Sequence, residues 1–476
     1  MVKAKTALAY IDQKRSFLVD LSDKIWEAAE LALHETASAK YIADALEAEG
    51  FTIEAPVGGM PTAFVATWGD GGPVIGLLGE YDALGGVSQN PVPVRDERVP
   101  GGAGHACGHN LLGAGALAAA IGLKEEMTRN EIPGTVKYFG CPAEENLSGK
   151  AFMARDGLFD ECDACLTWHP GGLNQVWTGS SLANNAMNVT FHGQTAHASA
   201  DPYNGRSALD AVQLMNMGVE FLREHMPGDA RVHYAILDGG RQPNVVPSVA
   251  KVWYLVRSPE REQVDDIYRR VLQCAEGAAT MTETTYEVDL LKAIWNVLPN
   301  SPLEDILRQS MQAVGPPEFS EEEREFAREI AETFPPGNRE SSINKEGLQE
   351  DERKQVLEQV LNDTLISPGS AAVMMGSTDV GDVSWCCPTA QIRVACNAIG
   401  TPGHSWQYVA QAGMSIGHRG MIQAGKMLAE AAFRLMTEPE TLENAQDEFQ
   451  RASGGKRYES AMPPDHQPAF EQFAGK

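Results

Sequence analysis

The chain has 476 residues, 43% of them hydrophobic and 22% charged, a balance found in soluble globular proteins and far from disordered or membrane-buried chains. Its 38 Lys and Arg face 65 Asp and Glu, a formal net charge of −27, so the overall field repels nucleic acid and anionic lipid. Single hydrophobic cores stop growing near ~250–300 residues, and two domains are expected.

The opening MVKAKTALAYIDQKRSF has no apolar run before Asp12 and the Lys14–Arg15 pair. It does not read as a secretory signal, which predicts a cytoplasmic protein. No apolar run approaches the ~18 residues of a membrane span. The eight cysteines lie mostly in apolar contexts, where reduced, buried thiols are expected. Cys162 and Cys165 form a CDAC pair, but no second pair at zinc-ribbon spacing accompanies it.

Residues 16–50 carry helical periodicity, and PVIGLLGE (73–80) reads as a buried strand. A helix is predicted over 110–127, with further strands at 135–142 and 163–170. This alternation is that of an α/β domain with a mostly parallel central sheet. Over 184–296 the order becomes strand, helix, two strands, helix and strand, the pattern of a ferredoxin-like α+β domain inserted into the first. The catalytic domain would then comprise 1–183 and 297–476. Residues 315–366 are predicted as a helical insertion, two solvated helices joined by the PPGNRESSINKEG loop, forming either a surface feature or an active-site lid. One long helix is expected over 407–435, and a polar, partly extended tail over 438–476.

Chemistry-bearing residues gather after the strands, where open α/β sheets place their ligands. GHACGHN puts Cys107 and His109 two residues apart before a helix. CPAEEN offers adjacent carboxylates at a strand end, costly unless a cation or proton offsets them. One division of labour has Glu145 bind metal while Glu144 stays free as a base. His169 ends the strand TWHP, and His404 lies in the turn GTPGHSW. Together these segments supply a thiolate, three imidazoles and a carboxylate, enough for two divalent ions if one ligand bridges. Asp82 in GEYDALGG either orients a ligating imidazole or shapes a turn.

Through GEYDALGG, GHACGHNLLGAG, CPAEEN, TWHP, GQTAHASADPYNGRSALDA, QPNVVP, STDVGDVSW and GTPGHSW, nearly the whole chain resembles the aminoacylase and carboxypeptidase family of co-catalytic zinc amidohydrolases. The resemblance implies a zinc-exopeptidase-like catalytic domain with an inserted dimerisation, or lid, domain. It implies that Cys107 bridges two metals, that His109 and Glu145 are terminal ligands, and that His169 and His404 complete the pair of sites. Glu144 would be the general base and Asp82 the partner of a ligand. His197 would polarise the scissile carbonyl, often from a neighbouring subunit, with Asn244 assisting. Arg257 resembles the arginine that grips the substrate carboxylate, and Arg206 is a second candidate that could instead cap a helix or pair with an acid. Glu80 departs from the pattern, since many relatives carry a ligating histidine there. Asp379 and Asp382, in a Gly-containing loop, could line the pocket, orient ligands or shape the turn.

The expected function is hydrolysis of an N-acyl or N-aroyl amino acid, such as an aminobenzoyl-glutamate, by metal-activated water. A dipeptide or another aryl-amino-acid conjugate is the alternative substrate. The expected cofactor is a pair of divalent ions, zinc or else manganese, and the expected assembly is a homodimer or a heteromer with a sister subunit. A G-x-S-x-G elbow for a serine nucleophile is absent from the sequence. Candidates at all five ligand positions, together with Glu144, argue against a non-catalytic partner subunit.

Overall fold

A computed structural model describes residues 1–367 and 373–470. The strands are β1 (Thr52–Glu54), β2 (Phe64–Asp70), β3 (Val74–Glu80), β4 (Gly134–Cys141), β5 (Ala164–Gly171), β6 (Gln175–Trp177), β7 (Ala183–His192), β8 (Arg231–Asp238), β9 (Val249–Ser258), β10 (Thr285–Ile294) and β11 (Thr389–Ala395). Seven form one sheet in the order β1-β2-β4-β3-β5-β11-β6. Its four inner strands, β4, β3, β5 and β11, run parallel, and antiparallel strands finish both edges. The inner strands are near-continuous apolar runs because layers cover both of their faces.

On one face lies helix His109–Asn130, buried along most of its length. Its Gly- and Ala-rich sequence permits close approach to its neighbours. A Cβ on Gly115 would come within 2.7 Å of the Trp168 ring, and one on Gly425 of helix Ser415–Thr437 would come within 2.8 Å of Ala118. The other face is covered by a second apolar cluster that includes Phe152 from helix Gly149–Arg155 and Val383 from helix Val380–Cys386.

The remaining strands form an antiparallel sheet ordered β10-β7-β9-β8. Helices Ala208–Leu222 and Arg261–Thr282 interleave with these strands in the ferredoxin-like order. Along β9, Val252, Tyr254 and Val256 are buried in the core with these helices, while Lys251, Trp253, Leu255 and Arg257 are half-buried on the opposite face.

Three local expectations need correction. The helix expected over 407–435 is two, Trp406–Ala412 and Ser415–Thr437, parted at Gly413, where a side chain would strike the Trp26 ring at 2.4 Å. The 315–366 segment holds three helices, Glu321–Ala331, Asn338–Asn344 and Glu350–Glu358, the middle one inside the expected loop. The tail, expected to be partly extended, has helix Pro439–Ala452 at its start and little regular structure over the described residues after it, and residues 471–476 lie outside the described residues. Asp379 stands at the start of helix Val380–Cys386 and Asp382 lies within it, so the latter is not a loop residue. No helix among the described residues is long and apolar enough to cross a membrane.

Candidate metal centre

Loops leaving the carboxyl ends of the parallel strands carry the predicted donors. Gly108, at φ +75°, turns the chain into helix His109–Asn130. A Cβ there would sit 3.1 Å from Pro170 and Tyr408, so glycine lets the Cys107 loop pass close to the end of β5. After β4, Ala143 adopts φ +60°, and His404 adopts φ +55°. Such left-handed non-glycine residues cost of order 1–3 kcal/mol and persist where neighbours fix them. Here Ala143 N donates to the buried Glu35 carboxylate at 2.9 Å, and His404 N donates to Ala106 O at 3.2 Å.

The five predicted ligands converge. Donor atoms of Cys107, His109 and His169 lie within 4.8 Å of one another, as do those of Cys107, Glu145 and His404, and those of His109, Glu144 and Glu145. Cys107 belongs to the first two groups, the arrangement a bridging thiolate requires. Its Sγ lies 3.4 Å from His169 Nε2, and His404 Nε2 lies 3.4 Å from Glu145 Oε2. Asp82 Oδ1 is 2.7 Å from His109 Nδ1, while its Oδ2 accepts from Glu145 N at 3.0 Å. One carboxylate thus orients an imidazole ligand and the backbone of a carboxylate ligand. Glu145 Oε1 is buried without a hydrogen-bond partner, and His109 Nε2 also lacks one, although Glu80 Oε2 stands 3.2 Å from it. Unpaired buried polar atoms are costly, and a divalent ion held by this donor set satisfies both.

Electrostatics point the same way. Burial pushes the Cys107 thiol up, with Glu145 adding to the rise. Burial also raises Glu145 to about 8, aided by Glu144 and opposed by His109. His169 falls to about 3 through burial and the charge of His109. Burial opposes a charge on His109 too, but Asp82, Cys107 and Glu80 outweigh it and hold that imidazole well above its ordinary value. A divalent cation inverts this balance, favouring thiolate, carboxylates and neutral imidazoles.

Two buried groups at the site were not singled out from the sequence. Lys150 Nζ lies 2.6 Å from both Glu80 and Asp379, and Glu80 reaches within 3.2 Å of His109 Nε2. The departure at Glu80 is therefore matched by a buried ammonium. Glu35, which also accepts from Thr62 at 3.0 Å, supports the turn leading to Glu144. A lysine ahead of the apolar AFMA stretch was the available signal for Lys150. Asp382 accepts from the Tyr458 hydroxyl at 2.7 Å and from Trp295 N at 3.3 Å, which ties its helix to the end of β10.

The inserted sheet supplies the remaining candidates. His197 is exposed, its Nδ1 accepting from Ala200 N at 3.2 Å, and Asn244 O accepts from the neighbouring Ala198 N at 3.0 Å. Among the described residues, no hydrogen bond or ion pair joins His197 to the metal ligands. Arg206 is tied to Glu283 at 2.8 Å, the acid pairing that was its alternative reading. Arg257 Nε is buried without a hydrogen-bond partner, and burial lowers the guanidinium's pKa. Lys292, on β10, is buried as well. Burial depresses its ammonium, while Glu144, Asp379 and Glu145 pull it up and Arg257 pushes it down. Lys292 therefore lies within electrostatic reach of the carboxylates at the metal cluster. A cavity at that cluster is lined by Cys107, His169 and His404 and walled by Ser342, Ile343 and Glu346 of the 315–366 segment.

This cluster, at the carboxyl ends of a mostly parallel sheet, defines a metallohydrolase of the amide-cleaving kind. The chain belongs to the peptidase family M20/M25/M40, whose model matches residues 76–381. It is 44% identical over 467 residues to one of the subunits of p-aminobenzoyl-glutamate hydrolase of Escherichia coli (strain K12), covering 96% of this chain and 97% of that protein. It is 28% identical to Xaa-Arg dipeptidase of Mus musculus, covering 94% and 91%. Among solved structures it is similar to a Bacillus subtilis protein described as a dinuclear metal binding peptidase of the M20 family. That match has a TM-score of 0.56 and 18% identity, covering 90% of this chain and 99% of the other.

Proposed function

We infer that this protein is a two-metal amidohydrolase cleaving N-acyl or N-aroyl amino acids, with aminobenzoyl-glutamate-like conjugates as the preferred class. The observation that carries this reading is the convergence of Cys107, His109, Glu145, His169 and His404, with Glu144 beside them. The thiolate favours zinc, and the carboxylate and imidazoles also suit manganese. Free cysteines at all eight positions support a reducing, cytoplasmic setting. A dipeptide is the second substrate reading, supported by the likeness to the mouse dipeptidase.

Two bound divalent ions would acidify a water and polarise the scissile carbonyl. Glu144 takes the proton of the attacking water and delivers it to the departing amine nitrogen. Asp82 keeps His109 in the tautomer that presents Nε2 to the metal. His197 donates to the carbonyl oxygen as negative charge develops there. Arg257 holds the α-carboxylate, and Asn244 positions His197. Cys107→Ala is expected to lose metal from both sites, measured by elemental analysis of the purified chain. Two ions per chain in that variant would move the bridge elsewhere.

Residues 1–183 and 297–476 form the catalytic unit in this reading, and 184–296 the lid and dimerisation unit. Leu214, Met217 and Phe221 expose one stripe of helix Ala208–Leu222, and Tyr234, Ile236 and Leu237 are exposed on the edge strand β8. An unpaired edge beside an apolar stripe suits pairing with a second copy or a sister subunit. If His197 acts across that pair, mixing inactive His197→Ala with inactive Glu144→Gln restores activity, because one interface then joins two intact residues. No recovery despite demonstrated subunit exchange would put His197 in its own chain's site.

A further inference from the structure

Arg393 lies beside the metal cluster. On β11 it is in register with His169 of β5 on one side and Gln175 of β6 on the other. Its guanidinium stacks on the Trp177 ring at 4.4 Å, and that ring sits edge-on to the His169 imidazole, with centroids 6.5 Å apart. Stacking fixes the guanidinium plane and leaves its edge free for a planar anion. Arg393 and Glu346 line both the cavity holding Cys107, His169 and His404 and an adjoining one lined by Trp177 and Lys345. The pair therefore stands where the two cavities meet.

The carboxylate now on Arg393 is an imperfect partner. Glu346 takes one guanidinium nitrogen with both oxygens, Nη1 to Oε1 at 2.9 Å and to Oε2 at 3.2 Å. Among the described residues, the second nitrogen, Nη2, meets only the thioether of Met374, at 4.0 Å. The parallel two-nitrogen fork, arginine's strongest mode of carboxylate binding, is left incomplete. Gln175 Nε2 donates to Glu346 Oε2 at 2.7 Å and steadies the acid from the other side. Both members of the pair keep about a quarter of their side-chain surface exposed, so solvent screens their attraction and exchange of one carboxylate for another costs little. Glu346 follows helix Asn338–Asn344, which is fastened at its start by Asn338 Nδ2 donating to Gly400 O at 2.7 Å. The insertion thus sets its own carboxylate on an arginine at the mouth of the site.

We propose that Arg393 recognises the side-chain carboxylate of an acidic amino acid in the substrate, and that Glu346 occupies this position until substrate displaces it. The proposal rests on the reading of this cleft as an acyl-amino-acid hydrolase. It separates two tasks: Arg257 takes the α-carboxylate common to all such substrates, and Arg393 selects among side chains. In a chain of net charge −27, an arginine lining the metal-site cavity in addition to Arg257 suits a dicarboxylate better than a neutral amino acid.

The test compares kcat/KM of the metal-loaded enzyme on N-benzoyl-glutamate and N-benzoyl-glutamine. Arg393→Gln should lower the glutamate-to-glutamine preference at least about tenfold, chiefly through KM, as expected for a lost charged contact. Glu346→Gln should move the same ratio upward, a direction that a merely damaged fold would not produce. Calorimetric binding of both ligands to the Glu144→Gln chain, with and without Arg393→Gln, reads the contact without turnover. Failure of the wild type to hydrolyse either conjugate would strike the functional reading alone. A ratio unchanged by both substitutions, or equal affinity losses for both ligands, would overturn the role of Arg393.

Discussion

Glu144→Gln is expected to keep two metal ions and to lose roughly 10²–10⁴-fold in kcat, the usual worth of a positioned general base. The glutamine keeps nearly the same volume and an oxygen acceptor at the same place, but it cannot take a proton from water. Glu144 has the environment such a base needs. Burial raises its carboxyl above the ordinary value, with the charge of Glu80 adding to the rise, while Lys150 and His109 restrain it. Its oxygen also lies within 4.8 Å of donors on His109 and Glu145, and so metal content must be measured beside turnover. Near-normal kcat in the substituted enzyme would remove Glu144 from proton transfer. Loss of metal together with activity would make it a ligand instead.

The parallel sheet and the metal donors were legible because both are written locally. Buried strands are continuous apolar runs, and the donors sit in short local strings: His169 and Glu145 at or just past strand ends, Cys107 and His109 at the start of a helix, and His404 in a Gly-containing turn. The groups that escaped notice depend on partners far away in the chain. Lys150 looks like an ordinary helix residue until Asp379, 229 positions later, is brought against it. Which acid Arg206 would meet was likewise beyond local reading, since Glu283 stands 77 positions on. At Gly413, between two helices, the distant Trp26 ring leaves no room for a side chain. Helix Asn338–Asn344 follows a Pro- and Gly-rich approach, and its first residue is fastened to the distant Gly400. Local patterning predicts elements, and tertiary contacts decide where they stop.

Arg257→Ala should weaken kcat/KM for substrates with a free α-carboxylate by on the order of 2–5 kcal/mol, the cost of removing one member of a buried charge pair. The amide or methyl ester of the same substrate should lose much less. Trp253 and Leu255 share the half-buried face of β9 with Arg257, and Asn184 of β7 lies directly across from it. Among the described residues no carboxylate lies within ion-pair distance of this guanidinium, whose Nε is buried and unbonded. A guanidinium stays charged when buried, so it draws its counter-ion from whatever enters the cleft. The neighbouring Lys292 adds a second positive charge, and Glu144 acts on that lysine as well. The anion would therefore settle close to the proton-transfer carboxylate, as the α-carboxylate beside a scissile amide must. Measuring kcat/KM for N-benzoyl-leucine and its methyl ester in both enzymes checks the assignment. Equal losses on acid and ester would rule out carboxylate recognition by Arg257 and would turn attention to Lys292.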